Sequence, residues 1–143
     1  MTIDERVALY KKLFKECKAL PIIQGFTMPA SRIGSLEAIR KLNTDLSDAY
    51  KVSLPVITVW VRDDSYVPET GEIYLTEPEL EPFLHQFRHH LQNVERLYER
   101  RGLLTEGDTT LSRVPYENCL YMLRGEDDAI AWSRYLAQEY DKK

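Results

Sequence analysis

The stretch from Thr76 to Gly102 constrains this chain most. Its apolar residues Leu80, Phe83, Leu84, Phe87, Leu91, Val94 and Tyr98 recur at the helical period and form one seam, as they do on a helix that turns one side to a core. Thr76 is the expected N-cap, Pro78 fits the first turn, and Gly102 is the stop. Pro82 is compatible with this helix only because it too lies near the start.

The segments before it alternate between helical and extended patterns. Val7, Leu9, Tyr10, Leu13, Phe14 and Cys17 stand at helical spacing, and Thr2 or Asp4 can cap that helix, which is expected to end before Pro21. Pro21, Gly25, Pro29 and Gly34 mark residues 21 to 34 as loop, with at most a short strand at Ile22 and Ile23. A second helix is expected from near Ser35 to Tyr50, with Leu36, Ile39, Leu42, Leu46 and Ala49 on one stripe.

LPVITVWV (54–61) is the most β-prone run and is expected as a central, buried strand. GEIYL (71–75) alternates Ile73 and Leu75 against Glu72 and Tyr74, the pattern of a half-buried strand in a hairpin with the previous one. Residues 103 to 115 have no period and are expected as loop. From Tyr116 the chain is helical again, with a break or cap at Gly125. The expected fold is α+β: a small twisted sheet with N-terminal helices, the histidine-bearing helix and a C-terminal helix, in a single domain over residues 1–143.

A chain of 143 residues with 43% hydrophobic and 29% charged residues can bury a core of its own. The net charge of -4 is spread along the chain, which argues against nucleic acid as a partner; Arg96, Arg100 and Arg101 are interrupted by Glu95 and Glu99. Cys17 and Cys119 form no CxxC pair, so neither a disulfide framework nor a cysteine zinc site is expected. The first twenty residues are amphipathic and resemble neither a signal peptide nor a membrane span. The expected location is the cytoplasm, without a membrane partner.

The chain's three histidines, His85, His89 and His90, all lie in LHQFRHHL. His85 and His89 are one helical turn apart, so both rings can reach one metal ion. In H-E-x-x-H the glutamate beside the first histidine is the general base for a zinc-bound water; here that position holds Gln86. The pair lies nearly opposite the apolar seam, which excludes a core role and leaves either solvent exposure or a helix whose far face lines a cleft. His90 borders the seam and is expected as a packed, hydrogen-bonded histidine.

Zinc needs a third protein ligand, and the candidate lies in GEDDAIAWSRYLA. Glu126 has Met122, Leu123, Ala129 and Ile130 at three and four positions, and a carboxylate on such a face needs a positive partner. The competing explanation is a favourable acid in the first turn of a helix starting after Gly125. Tyr116 and Tyr121 precede it and are expected in the core.

The order helix, strand LPVITVWV, strand GEIYL, helix with LHQFRHHL and C-terminal helix with EDDAIAWS resembles the minimal gluzincins, including the ImmA/IrrE-like metallopeptidases. His85 and His89 match the first family motif. Glu126, Ala129, Trp132 and Ser133 match the second, E-x-x-A-x-x-[FW]-[AS], and the likeness covers roughly residues 35 to 140. It implies a zincin-like domain with zinc held by His85, His89 and Glu126, Gln86 at the general-base position, and GEIYL as the strand whose open edge borders the substrate cleft. Ile130 departs from the pattern, because a polar residue four positions after the ligand glutamate usually supports a zinc histidine.

The expectation is a zinc metallopeptidase scaffold, a hydrolase in its family, that is inactive or strongly weakened because glutamine takes no proton near neutral pH. Gln86 is compatible with either a natural or an engineered origin. The alternatives are a non-catalytic module that binds a peptide or protein in the same cleft, and an interaction protein with no metal.

Overall fold

The computed structural model describes residue 12, residues 14–100 and residues 125–143, the side chains of 95–100 and 125–127 excepted. Among the described residues the elements run in the order α1 (Ala19–Gln24), α2 (Arg32–Tyr50), β1 (Val56–Val59), β2 (Ser65–Val67), β3 (Glu72–Leu75), α3 (Leu80–Arg100) and α4 (Gly125–Asp141). The architecture is α+β. The expected loop at 103–115, Gly102, Tyr116 and Tyr121 lie outside the described residues.

Pro21 does not precede a loop. It is the third residue of α1, where its missing N–H is one of the donors that no helix satisfies internally. The short strand expected at Ile22 and Ile23 is therefore a helical turn, and Ile23 is fully buried. The second helix begins three residues before Ser35, because Ser31 takes the N-cap and its Oγ accepts a hydrogen bond from Gly34 N at 3.0 Å. Its expected stripe holds: Ile39, Leu42 and Leu46 are buried.

The strand order β1-β3-β2 overturns three expectations. LPVITVWV supplies an edge strand, with Leu54 and Val56 exposed and only Ile57 of β1 buried. GEIYL supplies the central strand, pairing in parallel with β1 and antiparallel with β2, so it has no open edge to offer a peptide. The hairpin partner of β3 is the three-residue β2, joined through Gly71, whose φ of 74° and N–H to Val67 O bond of 2.8 Å close the turn. A β-branched run satisfies a half-buried edge strand as well as a central one, so composition alone could not place it.

α3 starts at Leu80, later than Thr76 suggested. Pro82 falls in its first turn, and Thr76 N instead donates to Asp64 Oδ1 at 2.7 Å. Phe83, Leu84, Phe87 and Leu91 pack into one cluster with Ile57, Ile73 and Leu75 of the sheet and Ile39, Leu42 and Leu46 of α2. The opposite side of α3 is covered by α4, the most extensive helix–helix contact among the described elements. Trp132 and Leu136 carry α4 into the same core. Among the described residues no helix is long and apolar enough to cross a membrane.

Candidate metal centre

The site grows from the periodicity of α3. With the apolar seam turned to the sheet, His85, Arg88, His89 and Gln92 recur at three- and four-residue intervals along the back of the helix. α4 covers that back, so Arg88 and Gln92 are buried and the two histidines half-buried. Of the pair, His85 lines an open cavity of about 700 Å3 together with Gln86 and with Ile130 and Ser133 of α4, while His89 is half-buried and is not among the residues that line it.

His85 Nε2 and His89 Nε2 face each other at 3.2 Å, with the rings steeply inclined at 73°. Two imidazoles on a tetrahedral zinc, each about 2.0–2.1 Å from it, hold their nitrogens about 3.3–3.4 Å apart. The observed 3.2 Å is the length of a hydrogen bond between the rings and also lies close to the separation that two ligands of one ion require.

A polar relay fixes which nitrogen of His89 faces its partner. Asp128 is fully buried and accepts from Arg88 Nε at 2.7 Å and Arg88 Nη2 at 3.1 Å, a two-pronged ion pair with no solvent access. Its Oδ2 also accepts from Gln92 Nε2 at 2.8 Å. That contact orients the Gln92 amide, so Gln92 Oε1 is the atom 3.0 Å from His89 Nδ1. An amide oxygen only accepts, so His89 Nδ1 carries a proton, and in the neutral ring His89 Nε2 then presents its lone pair toward His85. Metal-binding histidines are commonly prepared in this way, with the distal N–H held by a carbonyl or carboxylate. The Arg88 guanidinium stacks over Trp132 at 5.1 Å from the ring centroid, which locks the relay to the core.

Arg88, Gln92 and Asp128 are not among the site residues expected from the sequence, which favours Glu126 of the three acids and offers only Ile130 where a polar support for a zinc histidine would stand. In the structure Ile130 is partly exposed in the cleft and the support reaches His89 from Asp128 through Gln92. A signal was available: Asp128, Trp132 and Leu136 lie four residues apart on one line of α4, and all three are fully buried.

Glu126 belongs to α4, and its side chain lies outside the described residues. Its position is four residues before Ile130 and seven before Ser133, both on the cleft. Among the described residues no third histidine, cysteine or carboxylate joins the pair in a metal-binding group.

His90 is a packed histidine, as expected. It is 2% exposed, its Nε2–H donates to Ser53 O at 2.7 Å, and its Nδ1 accepts from Tyr66 Oη at 2.7 Å. Asn93 Nδ2 in turn donates to Tyr66 Oη at 3.1 Å. Burial pushes the His90 pKa below its ordinary value, partly offset by the bond to Ser53. Every partner there suits a neutral ring, so His90 belongs to the packing of α3 on β2 and not to the histidine pair.

No family model, curated protein or solved structure matches this chain.

Proposed function

We propose that the chain is a cytoplasmic zinc-binding protein on a metallopeptidase-like scaffold, with His85 and His89 as two ligands, Glu126 as the third, and Gln86 where a general base would stand. The observation that carries this reading is the pair of Nε2 atoms at 3.2 Å, one of them held with its lone pair forward by the Gln92–Asp128 relay. Surface histidines have no need of a buried carboxylate behind them. The zincin assignment itself rests on the sequence motifs.

Zinc bound there would act as a Lewis acid on a water or a peptide carbonyl. Gln86 lines the cleft beside His85 and can hydrogen-bond a bound peptide or water, but its amide takes no proton near neutral pH. Hydrolysis by this chain is therefore weak, and Gln86→Glu restores a proton acceptor at that position. An acceleration of about 10²- to 10⁴-fold over the parent chain in a zinc-loaded peptide cleavage assay is the expected result. If Gln86→Glu binds zinc and remains inert across a broad peptide library, the catalytic part of the proposal fails and the cleft is that of a peptide-binding module.

A further inference from the structure

The cleft that holds His85 and Gln86 carries its own chemical bias. Asp64, Glu79, Glu81 and Asp141 line it, against a single Lys or Arg among the described residues, Arg134, which lies 4.0 Å from Glu81. Among the described residues Glu79 and Asp141 have no ion-pair partner. Acids at the start of α3 favour that helix, which accounts for Glu79 and Glu81 in part. Asp141 is the last residue of α4, where a carboxylate opposes the helix dipole, so helix stability does not explain it.

Gln86 supplies a second, independent observation. It is only 8% exposed, it lines the same cleft, and no group among the described residues hydrogen-bonds its amide. A nearly buried amide with an unused donor and acceptor is the complement of a peptide backbone, which offers one C=O and one N–H at each residue. Ile130 and Leu80 add apolar lining, and a volume of about 700 Å3 is that of a ligand site.

The geometry points to a cationic peptide segment as the occupant of this cleft, with its backbone paired to the Gln86 amide and its Arg or Lys side chains set against Glu79, Glu81 and Asp141. The inference rests on the proposed reading of this cleft as a peptide site, but not on the zinc.

The test is fluorescence anisotropy with three labelled peptides of equal length, bearing two arginines, two glutamates or two serines at the same positions. Each is titrated with the full chain at low and high salt, in chelator and with added zinc. The arginine peptide should bind on the order of 10-fold tighter than the glutamate peptide at low salt, and the margin should shrink at high salt because the carboxylates are exposed. Glu79→Gln combined with Asp141→Asn should weaken the arginine peptide about 3- to 10-fold and leave the serine peptide unchanged. Gln86→Ala should weaken all three by a common factor, and unchanged circular dichroism verifies that each variant is folded. Equal affinity for the three peptides, no binding of any, or no effect of either substitution overturns the inference. Discrimination that persists in chelator while the chain takes up no zinc sinks the metal reading alone; zinc uptake without discrimination sinks this one alone.

Discussion

Arg88 and Asp128, forty residues apart in the chain, form a two-pronged ion pair with both side chains fully out of solvent. It joins the back of α3 to α4, and the same carboxylate holds Gln92. A buried pair of this kind contributes little net stability compared with apolar residues of similar volume, yet losing one partner leaves a charge that burial penalises.

Asp128→Asn or Arg88→Met should each destabilise the chain by about 3–5 kcal/mol in urea denaturation. The double variant Arg88→Met with Asp128→Leu should cost less than either Arg88→Met or Asp128→Leu alone. Additive losses would mean that the two residues act independently.

Gln92 should matter to the metal more than to the fold. Gln92→Leu keeps the Arg88–Asp128 pair but releases His89 Nδ1, so its ring is free to turn and to change tautomer. Zinc affinity should fall about 10- to 100-fold, with a stability loss in the absence of metal on the order of 1 kcal/mol for the lost hydrogen bonds. A zinc affinity equal to that of the parent chain would remove the relay from the site.

His90 makes a pH prediction of definite sign. Burial lowers its folded-state pKa below the unfolded value of about 6.5. The neutral ring is the form that fits, so its contribution to stability is complete above pH of about 6.5 and is lost as pH falls from there toward the folded value. An NMR titration should place the His90 transition below that of an exposed histidine. Relative to His90→Gln, the parent chain should lose stability between neutral and mildly acidic pH. A His90 transition at or above the ordinary value would contradict the neutral-ring assignment.

The parts of this molecule that were legible in the sequence are those set by local period. The seam Leu80–Phe83–Leu84–Phe87–Leu91 fixed which side of α3 meets the sheet, and the alternation in GEIYL fixed that Ile73 and Leu75 point inward. What covers the other side of a helix is a long-range fact. Arg88 and Gln92 are buried only because α4 lies over them, and the sequence favours Glu126 over Asp128, whose line with Trp132 and Leu136 is the one that is buried. Strand order escaped for a related reason. β2 has three residues and too little pattern to announce itself, and without it LPVITVWV and GEIYL look like neighbours in a hairpin when they run parallel.

Zinc content of the purified chain, together with titration of the metal-free form, tests the central claim most directly. The expected result is about one zinc per chain, a melting temperature that falls on chelation, and a loss of tight binding in His85→Ala and in His89→Ala. Glu126→Gln should weaken binding far more than Asp127→Asn. Asp128→Asn should weaken it indirectly, by releasing Gln92 from its hold on His89. A chain that carries no zinc, whose melting curve does not move when zinc is added and whose His85→Ala and His89→Ala variants behave identically to it, would contradict the zinc assignment.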